Sequence, residues 1–143
     1  MKPIALLVFV FLLSLQGKQT PSPPAELQVE GPRVVFFAPT QTERDSIMQI
    51  EGLEAGKVFD DFDYYAGKAI SFLRKRNLAV EFTTTQTILI RLKSGTVRKF
   101  ERRSIPDYVG VILTDGMQEP GLIAGAQSDE DLVLEFKSFF HLK

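Results

Sequence analysis

The chain has 143 residues, 44% of them apolar and 12 of them Phe, enough for one domain of ordinary size with an aromatic core. Its net charge is -1, so no global field draws it to nucleic acid or to an anionic membrane. It has no cysteine, which excludes a disulfide framework and lipid attachment at an N-terminal Cys.

Residues 1–17 read as a secretory signal peptide. Lys2 supplies a positive start, residues 4–15 are apolar except for Ser14, and Gly17 offers a small residue for cleavage. The run is shorter than the roughly 20 residues that span a bilayer. An uncleaved anchor is the alternative, and membrane contact is expected only in that case. Either way the domain is expected to be exported, periplasmic or extracellular. Residues 18–32 contain Pro21, Pro23, Pro24 and Pro32 and read as a Pro-rich tether, which leaves 33–143 as the folded domain.

Residues 33–38 (RVVFFA) form a continuous apolar run of strand length, suited to a central buried strand that Pro39 ends. Thr40 and Glu43 have capping-box spacing and open a short helix to about Ile50. Gly52 and Gly56 punctuate the next stretch. Residues 57–76 predict the clearest helix, with Phe59, Phe62, Ala66, Ala69, Ile70 and Leu73 on one face. Asp60, Asp61 and Asp63 near its start and Arg74, Lys75 and Arg76 at its end suit the helix dipole. Asn77 is its expected stop.

Residues 78–85 read as a second strand. Residues 88–92 and 96–102 flank Ser94 and Gly95 as a hairpin. Residues 108–113 predict another buried strand, Asp115 and Gly116 a turn, and 122–125 a short partner strand. Ser128 caps a last helix with Asp131 in the box position, and Leu132, Phe136, Phe139 and Phe140 form its buried stripe. The first strand–helix–strand unit predicts parallel strands joined by a right-handed crossover. The tight turn after Leu113 predicts an antiparallel pair. The expected class is α/β, a mixed sheet with helices on its faces.

The tail SIPDYVGVILTDG followed by GLIAGAQSDEDLVLEF resembles the closing third of the thioredoxin fold, and VVFFAP resembles the strand leading to that family's redox motif. The resemblance covers about two thirds of the domain. It implies a thioredoxin-like mixed sheet in the order βα-β-hairpin-ββα, with the 88–102 hairpin in place of the family's helix between its second and third core strands. It also implies a cis bond between Ile105 and Pro106, whereas composition alone predicts trans. Gln41 and Arg44 stand roughly where the family's two cysteines would. With no thiol to ionise, the resemblance implies a redox-inactive member.

Two surfaces follow. In the family the helix start faces the cis-proline, and the backbone before that proline pairs with extended peptides. Thr40, Gln41 and Arg44 are therefore expected to line a peptide site with Ile105 and Pro106, the free N–H groups of the helix start adding an anion preference. The plainer alternative is a capped helix without a ligand. The second surface is the basic hairpin, Arg91, Lys93, Arg98, Lys99, Arg102 and Arg103, a net charge of +5 over residues 91–103 after Glu101. It suits an acidic partner or lipid headgroups and suits nucleic acid least. Its plainer alternative is a charged, aggregation-resistant edge. Residues 43–63 carry the opposite charge, seven carboxylates against Arg44 and Lys57.

No metal or cofactor is expected. The Asp60–Asp63 cluster lacks the alternating ligands and Gly of a calcium loop, and His141 is the only histidine. A Thr nucleophile at Thr40 or Thr42 would lack a general base. The sequence thus points to a non-catalytic exported module with a protein or peptide partner. A structural adaptor of an envelope assembly, or an enzyme with cysteine-free chemistry, are the alternatives.

Overall fold

The structure, a computed structural model, describes residues 25–143. The signal segment at 1–17 and the tether's residues 18–24 lie outside the described residues. The described chain is mixed α/β, with two mixed sheets and three helices.

Strands β1 (Glu26–Glu30), β4 (Thr87–Arg91) and β5 (Val97–Glu101) form the smaller sheet in the order β1-β4-β5, β1 parallel and β5 antiparallel to β4. Strands β2 (Arg33–Phe37), β3 (Val80–Thr83), β6 (Gly110–Thr114) and β7 (Gly121–Ala124) form the larger in the order β3-β2-β6-β7. In it β2 and β3 are parallel, as expected of the first crossover, and β6 runs antiparallel to both β2 and β7. The helices are α1 (Gln41–Glu51), α2 (Leu53–Lys75) and α3 (Asp129–Phe140).

The alternation of β2 explains the layering. Val34 and Phe36 pack with Val111 and Leu113 against Phe59, Phe62, Ala66, Ala69 and Leu73 of α2 and Leu132 and Phe136 of α3. Val35 and Phe37 face the other way, with Ile112, onto Val29, Ile88 and Ile90 of the smaller sheet. A strand buried on both faces must be apolar at every position, which is why VVFF and GVIL read as continuous runs.

Three expectations need correction. Helices do not cover both faces of the main sheet; they lie on one, and the smaller sheet covers the other. The tether does not extend to Pro32, because residues 26–30 are β1. ELQVE alternates with period two, turning Leu27 and the fully buried Val29 inward. The main helix starts at Leu53 rather than 57, directly after Gly52 at φ 92, so Asp60, Asp61 and Asp63 lie beyond its first turn and out of reach of the dipole. The acid of that turn is Glu54.

The helix signals themselves are present. Thr40 and Glu43 make both bonds of the capping box. The Asp131 amide donates to the Ser128 hydroxyl, and Asn77 is left-handed, at φ 57, just past the end of α2. Of the α3 stripe, Leu132 and Phe136 are buried, while Phe139 and Phe140 are half-buried.

Candidate functional site

No residue of α1 is fully buried; Ile47 and Met48 pack partly on the core, and polar contacts hold its two ends. Its first turn is tied to the end of the hairpin. Arg102 is 1% exposed; its Nη2 donates to both carboxylate oxygens of Glu43 at 3.0 Å and to the Thr84 carbonyl at 3.1 Å, and its Nε donates to the Thr85 carbonyl at 3.1 Å. Glu43 also accepts from the Thr40 amide and from Gln86 Nε2. Burial pushes the Glu43 carboxyl up, but the Thr40 amide and the Arg102 guanidinium outweigh it and hold the group below its ordinary value. Farther along α1, Arg44 makes a bidentate pair with Asp63 of α2 at 2.7 and 3.1 Å. At the last turn the Tyr108 hydroxyl donates to Glu51 at 2.7 Å, and this bond holds the phenol above its ordinary range.

The segment from Arg102 to Tyr108 therefore runs alongside α1, fastened at both ends. The helix start meets Arg102 and the helix end meets Tyr108, the two residues that bracket Ile105 and Pro106. The details differ from the family expectation. No peptide bond among the described residues is cis, so the bond before Pro106 is trans, as composition predicts. Ile105 is buried and does not offer its backbone. Its N–H donates to the Arg102 carbonyl at 3.2 Å, and its carbonyl accepts from the Tyr108 N–H at 3.0 Å. Gln41 donates to Asp45 of its own helix.

What Pro106 leads into is the strained part of the edge. Asp107 and Tyr108 are both left-handed, at φ 60 and 62. Asp tolerates this region; a bulky Tyr is a genuine outlier there. Such strain, of order 1–3 kcal/mol per residue, gathers at working sites.

Tyr108 is the wall between two hollows. One, of about 520 Å³, is lined by Thr42, Glu43, Ser46 and Ile47 of α1 with Arg102 and Arg103. The other, of about 180 Å³, has Glu51, Glu54 and Asp107 around Ala55, Val58 and Phe59. Beside it, on either side of Glu51 and Gly52, Ile50 is 85% and Leu53 83% exposed, the most exposed of the large apolar residues described.

The hairpin surface is changed more deeply. Arg91 pairs with Glu30 at 3.3 Å, Arg98 with Glu119, and Lys99 with Glu101 at 3.0 Å, while Arg102 is the buried partner of Glu43. Only Lys93 and Arg103 of the six lack an ion-pair partner among the described residues. Three of the six are met by carboxylates of other parts of the chain, which the hairpin's own sequence does not show, and Lys99 by Glu101 of its own strand. In the acidic stretch, Glu43 and Asp63 have arginine partners, whereas Asp45, Glu54, Asp60 and Asp61 have none among the described residues. One signal for Arg102 was present: it continues the strand alternation of Phe100, which packs on the core between the sheets.

Among the described residues no group of three or more His, Cys, Asp or Glu is placed to hold a metal ion, and no helix is long and apolar enough to cross a membrane. Comparison of the chain with protein-family models, with curated proteins and with solved structures found no match to any of them.

Proposed function

We propose that the chain is an exported, redox-inactive, thioredoxin-like module that binds a protein or peptide partner along the Tyr108 edge. Three features support the thioredoxin-like reading: the parallel β2–helix–β3 unit, the antiparallel β6–β7 pair leading into α3, and the strand order β3-β2-β6-β7. The trans bond at Pro106 and the second sheet are its departures from the family pattern. Export rests on the 1–17 segment. Absence of cysteine removes thiol chemistry from the edge and leaves recognition.

The observation that carries the binding role is the pair of consecutive left-handed residues, Asp107 and Tyr108, standing between two hollows. A left-handed Tyr persists only where its surroundings hold it, and this one sets the ridge of a surface edge. The Ile105 backbone is engaged internally, so recognition there runs through side chains and not through an added strand.

A photo-reactive residue placed at Leu53, and separately at Arg98, in the protein expressed in its own cells tests this. The reading expects a discrete adduct from position 53 and none from position 98. The reverse pattern moves the partner to the hairpin. Absence of adducts from both positions counts against a partner at this edge.

A further inference from the structure

The smaller hollow beside Tyr108 identifies the chemistry of the partner, an inference that rests on reading this edge as the binding surface. Its floor is apolar (Ala55, Val58 and Phe59), one wall is the Tyr108 ring, and its rim carries Glu51, Glu54 and Asp107. Glu54 and Asp107 have no ion-pair partner among the described residues, and Glu51 accepts only the neutral Tyr108 hydroxyl there. Arg44, the one arginine of α1, is committed to Asp63. Uncompensated negative charge thus lies next to Ile50 and Leu53, the two large apolar side chains most open to water.

At about 180 Å³ the hollow is smaller than the roughly 300–1,000 Å³ of small-molecule sites. It has room for one long side chain. We infer that the partner presents a basic segment flanked by apolar residues. A Lys or Arg side chain lays its stem on Val58 and Phe59 and its head among Glu51, Glu54 and Asp107, next to the Tyr108 ring. Neighbouring apolar residues of the partner cover Ile50 and Leu53. Complementary charge steers the encounter and rejects acidic competitors, while the apolar pair supplies buried area. The paired state of the hairpin argues in the same direction, since four of its six cations are already committed to carboxylates.

The test is a titration of the isotopically labelled protein, followed by amide chemical shifts, with three acetylated and amidated peptides built on Lys-Leu-Ala, Gln-Leu-Ala and Glu-Leu-Ala repeats. The Lys peptide is expected to bind saturably, to move the amides of Ile50, Leu53, Asp107 and Tyr108, and to weaken with added salt. The Gln peptide is expected to bind at least about tenfold more weakly, as is the Lys peptide to the Glu54→Gln, Asp107→Asn double variant. Both replaced side chains are exposed, and Asn keeps the left-handed conformation at position 107. Equal binding of the Gln or Glu peptide at these amides would overturn the basic partner and leave the edge itself intact. Shifts confined to another surface, or no saturable binding of any of the three, would remove both.

Discussion

Arg102 and Glu43 lie in contact 59 positions apart in the chain, one guanidinium nitrogen 3.0 Å from each carboxylate oxygen. This pair joins the end of the hairpin to the first turn of a helix that has no fully buried residue. The pair lines the larger hollow beside Tyr108, while the Tyr108–Glu51 bond closes one side of the smaller.

The pair is asymmetric. Arg102 is fully buried, while the Glu43 side chain is 28% exposed. Glu43→Gln keeps a capping-box residue but strands a buried cation, and is expected to cost about 3 kcal/mol. Arg102→Met removes the buried charge along with its partner's contact and is expected to cost less. Urea unfolding of the two variants checks the order, and a larger loss for Arg102→Met would contradict it.

The same pair gives the stability a direction in pH. The Glu43 carboxyl titrates lower in the fold than its ordinary 4.5. Its contribution is therefore complete above that value and is lost as pH falls through the depressed one. Asp115 acts in the same sense. Burial raises it, but the amides of Gln118 and Met117 outweigh that and lower it. The difference in urea midpoint between the parent and Glu43→Gln should be constant above about pH 5 and shrink on further acidification. A difference that grows toward acid would refute the assignment.

Gly110 of β6 has no room for a side chain. A Cβ there would run into the Ile123 carbonyl and lie 2.8 Å from the Phe37 ring. A backbone neighbour cannot turn aside, so Gly110→Ala is expected to cost at least about 2 kcal/mol by overpacking. Gly67, whose Cβ would meet nothing within 4 Å, is the control: Gly67→Ala should stabilise by about 1 kcal/mol. Thermal unfolding of both separates them.

Asp107→Gly tests the strained turn. Glycine adopts φ 60 freely, so stability should hold or rise by a few tenths of a kcal/mol, up to about 1. Affinity for a basic peptide should fall, because one of three rim carboxylates is gone. A variant that loses stability and keeps affinity would show that the turn serves packing.

The fold was legible where local signals and burial agree. VVFF and GVIL, buried on both faces, and the stripe from Phe59 to Leu73 read directly, as did the caps at Thr40 and Ser128. What failed to read was long-range. Nothing local in ELQVE shows the parallel pairing with residues 87–91 that makes it a strand, and the prolines around it favoured a tether. The hairpin's cations looked free because Glu30, Glu43 and Glu119, which pair with them, are distant in sequence. At the edge, the family resemblance implied that the helix start faces the Pro106 segment; the contacts join α1 to Arg102 and to Tyr108, on either side of it. The sequence did not show the left-handed Tyr108 or the two hollows, which depend on how the chain turns after a trans proline.

The most direct test of the account is the effect of Leu53→Asp with Glu54→Lys on the adduct formed by a photo-reactive residue at Ile50. Both side chains face solvent, so the melting temperature should stay within about 3 °C of the parent. The account expects the adduct to vanish while the fold is kept. An adduct that persists at full yield in a folded variant would contradict a partner at the Tyr108 edge.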